Sequence, residues 1–433
     1  MSHGIPHMKH EDSMTEHATA GSLGRLGVIA WRNAIFVIFA LPGIAIASWV
    51  SRLPAVRDAL HLNPAEVGLL IFGMAAGSIV GLLASSHVVA RTGAIATLSW
   101  GIVGTAVGLT IAGVGATMPN FAITFAGLVV FGGSSGITDV AMNVSGAANE
   151  RALGRSIMPV FHAFFSFGTM AGAGIGALAE ATHVPIAIHL GTAGVAIVAG
   201  MLVARRFLLP EHVVGDDGEP LSSDDHSLTW RGRLAIWADS RTLLIGVLVL
   251  AAAFAEGSAN DWLAIAMVDG HGVSNASGAL VFGVFVTAMT VGRLTGVFLL
   301  DRFGRVPVLR GSFLLAAGGL LIVIFVPNPW IAAAGAVLWG LGSALGFPIG
   351  MSAAADDPRT AAARVSAVAT IGYFAFLVGP PVIGLLGQRV GVLYALLVVL
   401  VLAAIGALVA GAAREPARRS AETAREDPSS IAS

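Results

Sequence analysis

The 433-residue chain has no cysteine, one lysine (Lys9), two tyrosines and only 11% charged residues. Without cysteine there is no disulfide framework, no thiolate metal site and no thiol nucleophile. The charged fraction is less than half the roughly 25% usual in soluble domains. That is too little to cover a globule of this size in water. The net charge of −1 says little about partners, and neither a nucleic-acid partner nor a cofactor is expected.

What the chain does have is apolar sequence. Hydrophobic residues make up 56% of it, gathered into long runs. A hydrocarbon core of about 30 Å, crossed at 1.5 Å per residue, needs roughly 20 apolar residues. Runs of that length lie at 30–51, 65–86, 94–116, 120–145, 157–180, 184–204, 242–266, 277–300, 306–326, 329–352, 362–386 and 391–412. Lipid offers no hydrogen bonds, so each run must satisfy its own backbone as a helix. The expected fold class is an all-α polytopic membrane protein with twelve spans, numbered 1 to 12 below.

Charge between the spans sets the expected topology. Of the 24 Lys and Arg residues, Arg52, Arg57 and Arg389 fall on one side, Arg293 lies inside span 8, and the other 20 share the side of the termini. Both termini are therefore expected in the cytoplasm of a cell-membrane protein. No cleavable signal is expected, because the small-residue sequence Ala45-Ile46-Ala47 lies inside span 1. Residues 1–25 contain His3, His7, His10 and His17. Their spacing matches no metal-ligand set, so a disordered tail and no metal site are expected. A second disordered tail is expected at 414–433.

Residues 207–241 form the one long polar interior segment, acidic at Glu211, Asp216, Asp217, Glu219, Asp224 and Asp225. It divides the chain into six-span units at 26–206 and 242–413. Repeats support a duplication. Gly127-Leu-Val-Val-Phe131-Gly132 recurs 208 residues on as Gly335-Ala-Val-Leu-Trp339-Gly340. Phe72-Gly73 recurs after 210 as Phe282-Gly283, and Phe165-Ser-Phe167 after 209 as Phe374-Ala-Phe376. Arg155 and Arg364, which lead spans 5 and 11, are also 209 apart.

After span 8 comes Gly296-Val-Phe-Leu-Leu-Asp301-Arg302-Phe303-Gly304-Arg305. This resembles the signature loop of the major facilitator superfamily, in which such a loop follows the second helix of each half. The first-half counterpart keeps Arg91-Thr92-Gly93 but has Ala90 in place of the acid. The resemblance implies two pseudo-symmetric six-helix bundles, alternating access and no enzymatic activity. It also implies gating roles for Asp301, Arg302, Gly304 and Arg305, with Asp301 meeting the start of span 5 beside Arg155. Arg364 would matter less, because Ala90 cannot make the matching contact.

A shorter stretch is similar to the fucose permease branch of sugar–proton symporters. It comprises Asp139-Val-Ala-Met-Asn143 in span 4 and Phe161-His162-Ala-Phe-Phe-Ser166-Phe167-Gly168 in span 5. The similarity implies a proton-linked acid at Asp139 and a substrate contact at His162, where the branch has an amide. The acid this branch carries in its first helix has no equivalent, since Ala45 to Val50 offer only Ser48 as a polar group.

The residues themselves point to the same place. An ionisable side chain within a span is costly and marks a functional site by default. Asp139 and Asn143 are four apart and share a helix face. His162 is about as far past the hairpin centre as Asp139 is before it, which sets the two at one depth. A packing hydrogen bond between helices is the competing explanation for both.

In span 7, Glu256 and Asn260 are again four apart. Glu256 lies about 21 Å along the span, which makes it a second proton-coupling candidate. Asp261 is expected near the outer interface, where its charge costs little. Asn143, His162, Asn260, Trp49 and Trp262 make up the expected substrate-binding set, although interfacial anchoring would also explain the two tryptophans. Arg293, counted with the gating residues, must find an acid or face water, with Asp139 or Asp301 as the partners considered.

The expected function is proton-coupled transport of a small, sugar-like polar solute by a monomer. The alternative is a proton-driven efflux antiporter, to whose glycine motif Gly168-x3-Gly172-Ala-Gly174-Ile-Gly176 is faintly similar. The acidic pair Asp356-Asp357 could suggest a membrane-embedded transferase. Helix termination at Asp-Asp-Pro accounts for it better.

Overall fold

The computed structural model describes residues 10–154, 157–209, 236–357 and 360–415, with side chains from residue 26 onward. Twelve of its helices are long and apolar enough to cross a membrane, and the described residues contain no strand. The first helix runs His10–Ser51, starting ahead of the boundary expected at residue 25, and its apolar part is Leu26–Ser51. The acidic stretch of the linker, His3, His7, Arg155 and the tail beyond Glu415 lie outside the described residues.

Polar caps between the runs fix where the helices begin. Asn63 caps span 2 (Pro64–Thr92) in a reciprocal box with Glu66, and Asn120 caps span 4 (Phe121–Leu153). Asp239 caps span 7 (Ser240–His271), Ser274 caps span 8 (Asn275–Phe303), and Asn328 caps span 10. Each side chain accepts backbone N–H groups that the first turn cannot satisfy internally. The duplication is visible here as geometry. Asn63 and Ser274 begin equivalent helices, as do Asn120 and Asn328. The signature-loop glycines Gly93 and Gly304 close spans 2 and 8 with φ of +77° and +75°, values a side chain would resist.

Span 10 is broken, against the expectation of one helix. It runs as Pro329–Ser343 and Gly346–Ala354. Pro348 explains the break, since it has no N–H to give the Ala344 carbonyl and its ring crowds that group.

Within each half, neighbouring spans pack through small residues. Between halves, span 2 packs on span 11 and span 5 (Met158–Ala181) on span 8. These inter-half contacts seal the face opposite the termini. There Gly68 abuts the Pro380 carbonyl, and Gly384 that of Pro64. Arg57, on the short helix Leu53–Leu60, pairs with both Asp58 and Asp269. Asn275 Nδ2 donates to Asp58 at 3.0 Å. A cavity is thereby enclosed under this seal, with its walls drawn from both halves.

Candidate functional site

One face of span 4 presents Phe131, Ser135, Asp139 and Asn143 at helical spacing toward the interior. Asn143 connects this face to span 5. Its Oδ1 lies 3.2 Å from His162 Nε2, while its Nδ2 donates to the Asp139 carbonyl at 2.8 Å. The residue level with His162 is therefore Asn143, one helical turn from the Asp139 expected there. His162 also sets its ring edge-on to Phe39 of span 1, with centroids 5.1 Å apart. Asp139 and His162 are both exposed, and the Asp139 carboxylate has no hydrogen-bond or ion-pair partner among the described residues. Asp139 acts electrostatically on Tyr373 of span 11, so it faces the second half.

The second half answers with span 7. Arg293 Nη2 bonds Glu256 Oε1 at 3.0 Å, so the partner of Arg293 is neither Asp139 nor Asp301. It is Glu256, the acid expected to be a second proton-coupling group. Arg293 also acts electrostatically on His162, bringing the ion pair to the same part of the cavity as the polar strip of the first half.

Deeper, under the seal, is a cavity of about 220 Å³ lined by Asn260, Asp261, Tyr373, Ser78 and Ser135 among apolar neighbours. Asn260 lies where expected. Asp261 does not, for it faces this cavity instead of an outer interface. The apolar run ends near residue 266, but the helix continues to His271 and stops at Gly272 in the left-handed conformation. Asp261 thus stands nearly three turns before the end of its helix. Asp-Gly-His-Gly at 269–272 was the available sign that the helix outlasts its apolar run. Tyr373, Ser78 and Ser135 carried no comparable signal, because lone hydroxyls in apolar helices usually back-bond to their own turn.

The two tryptophans need correction as binding residues. Trp49 and Trp262 are 1% and 0% exposed and pack in the core, so neither offers a face to a solute or reaches an interface. Apolar contact with neighbouring helices has claimed both rings.

The signature-loop residues divide between roles. Arg305 bonds Asp356 at 2.8 Å, and Arg241 bonds the other oxygen of Asp356, also at 2.8 Å. Asp356, the first of the acidic pair after span 10, is thus an anchor for arginines of its own half, while Asp357 accepts from the Thr360 hydroxyl. Arg364 lies 3.6 Å from Asp239, again within one half. Arg302 stacks over Phe303, its neighbour in the chain. Asp301 is exposed without a partner among the described residues.

The span 5 glycines form a helix-packing seam. A Cβ on Gly168 would lie 2.1 Å from the Ala40 carbonyl, and one on Gly172 would lie 2.7 Å from that of Ile44. Close approach to span 1 thus explains Gly168, Gly172 and Gly176, the last against Ser51, whereas Gly174 has nothing within 4 Å.

Two six-helix halves around an interior cavity, sealed at one face, define a membrane transporter. Residues 245–433 match the sequence profile of the Major Facilitator Superfamily. An uncharacterised MFS-type transporter of Yersinia pestis is 32% identical over 352 residues, covering 81% of this chain and 87% of that one. The chain belongs to the major facilitator superfamily, whose members are transporters of small molecules and not enzymes. Among solved structures, a point variant of the nucleoside transporter NupG superposes with a TM-score of 0.71 at 14% identity, over 88% of this chain and 99% of that one. A point variant of the Escherichia coli fucose:proton symporter FucP gives 0.61 at 17% identity, over 90% of this chain and 100% of that one. At these identities the likeness establishes the fold.

Proposed function

We propose that this protein is a proton-coupled secondary transporter of a small, sugar-like polar solute across the cell membrane. It works as a monomer by alternating access, with both termini in the cytoplasm. The 20-to-3 bias of basic residues toward the side of the termini supports that orientation. Two structural neighbours are a nucleoside transporter and a fucose:proton symporter, and both solutes are rich in hydroxyls.

The observation that carries the reading is Asp139. It is a carboxylate without a partner among the described residues, on the interior face of a spanning helix, one turn from an Asn143–His162 hydrogen bond. Glu256 is already engaged by Arg293 at 3.0 Å, which leaves Asp139 the freer of the two acids. An acid free to exchange protons with water, and able to meet solute on Asn143 and His162, suits coupling. Loading would occur with one face open and release with the other. Asp301 would engage the start of span 5 only once the face of the termini closes.

The test is Asp139→Asn in proteoliposomes. Solute accumulation driven by a pH gradient should fall to equilibration, while exchange of labelled for unlabelled solute persists. Gradient-driven accumulation that survives in the variant would refute the assignment. The second reading, antiport of small organic compounds, draws on one observation. The deep end of the cavity is mostly apolar, walled by Ile46, Ile71, Met74 and Phe131. Proton flux opposite in direction to solute flux would select it.

A further inference from the structure

Beyond the Asp139 site, the deep cavity contains an acid of its own. Asp261 lines it and has neither a hydrogen bond nor an ion pair among the described residues. The interior therefore holds three carboxylates, Asp139, Glu256 and Asp261, against one arginine among the described residues. Glu256 uses that arginine at 3.0 Å. A carboxylate in a span without a cation is costly, and nothing described on the surrounding helices relieves Asp261. His162 is on the other side of the polar strip, hydrogen-bonded to Asn143.

The other walls show what would suit that acid. Tyr373, Phe376 and Phe131 bring three aromatic rings to the lining, and Ile46, Ile71 and Met74 bring apolar surface. Aromatic faces attract a cation, and more strongly away from water. A sugar would leave most of its hydroxyls unpaired against such walls, a costly mismatch. A protonated amine on a compact apolar or aromatic body would not. The volume of about 220 Å³ is smaller than the ~300–1,000 Å³ of sites for drug-sized ligands, which limits the occupant to a small molecule. Asn260, beside Asp261 in the lining, offers an amide oxygen for a second N–H.

We propose that the deep cavity is a cation site, in which Asp261 binds the ammonium of a small organic amine while the aromatic and apolar walls hold its body. The deep cavity is lined by neither Asn143 nor His162, where the sugar-like solute is proposed to bind, so this goes beyond the proposed function by adding a second ligand class at a second site, and it rests on the transporter reading only for its purpose. Asp139 keeps the coupling proton and Asp261 takes the charged amine, so one acid need not serve both.

Equilibrium binding to the full chain in lipid nanodiscs tests this without any proton gradient. The probes are 2-phenylethylamine and its neutral counterpart 2-phenylethanol. The amine should bind at least roughly tenfold more tightly. Asp261→Asn should erase that preference, Asp261→Glu should keep part of it, and Asp139→Asn should leave it intact. Unfolding temperatures in the same nanodiscs verify that each variant is folded.

Equal affinity for the two probes, or no amine binding at millimolar concentration, would overturn the proposal. So would a preference that survives in Asp261→Asn, which would move the cation to another acid. Stabilisation by Na+ alone that Asp261→Asn removes would reassign the cavity to an inorganic ion. Amine binding without proton coupling would count against the proposed function only, and coupling without amine preference against this inference only.

Discussion

Each half of the molecule pairs an acid of its spans with an arginine and leaves another acid facing the interior without a partner among the described residues, but the two halves arrange them differently. In the first half the pair is Arg52–Glu180, at 3.1 Å, with side chains 4% and 16% exposed. It lies off the cavity, and Arg52 Nη2 also donates to the Val184 carbonyl at 2.8 Å. Burial lowers the Arg52 pKa, and Glu180 opposes that shift. In the second half the pair is Glu256–Arg293, at 3.0 Å, with side chains 20% and 34% exposed, and it lies near His162 of the polar strip. One pair is structural mortar. The other is reached by water. The free acids, Asp139 and Asp261, both face the interior.

Breaking the buried pair should have the largest effect on stability. Arg52→Ala strands a carboxylate among protein atoms, a change that costs roughly 3–5 kcal/mol when no water can enter. We expect about 3 kcal/mol, read as a lowered unfolding midpoint in a denaturing-detergent titration. Arg52→Ala combined with Glu180→Gln should recover a large part of it. Arg293→Gln should cost less, about 1 kcal/mol, because the cavity admits water to the abandoned Glu256 and exposed pairs are weak. Its effect on transport should exceed its effect on stability, since it adds an unpaired carboxylate beside Asp139. If the two arginine variants prove equally destabilising, the distinction between the pairs is lost.

The same contrast shows how far the sequence could be read. Span count, duplication and the Asp139–Asn143–His162 strip were legible because hydropathy, offset and helical spacing are local properties of the chain. The pairing of Arg293 was not. Its partner is 37 residues away on another helix, and the packing angle of spans 7 and 8 decides the contact. Asp261 was misplaced because apolar runs mark where lipid ends, while helices such as span 7 continue past that level. Trp49 and Trp262 stand near the ends of apolar runs, where tryptophan usually anchors. Both are packed into the core instead. The N-caps at Asn63, Asn120, Ser274 and Asn328 would have located the helix starts and doubled the evidence for duplication.

The smallest effect is expected where the two halves hold each other. Arg57 spans the seal, bonding Asp58 on its own helix and Asp269 at the end of span 7, while Asn275 completes the cluster through Asp58. Its side chain is 13% exposed, but those of Asp58 and Asp269 are 49% and 39% exposed. Water therefore weakens the cluster to about 0.5–1 kcal/mol. The contacts between halves exist only while this face is closed, so they bias the conformational equilibrium by that difference and no more. Arg57→Gln should accordingly raise the population open at this face by roughly two- to fivefold. The absence of native cysteine makes the measurement direct. Ile71 lines the cavity beneath the seal, and Ile71→Cys would be the one thiol in the chain. Its labelling by a membrane-impermeant maleimide from the side of Arg57 should rise by that factor in Arg57→Gln. Asp269→Asn should do the same, and the double variant should add little to either, because both remove one shared contact. Labelling that stays at the parental rate in both single variants would mean that the helix contacts around Gly68 and Gly384 close this face unaided.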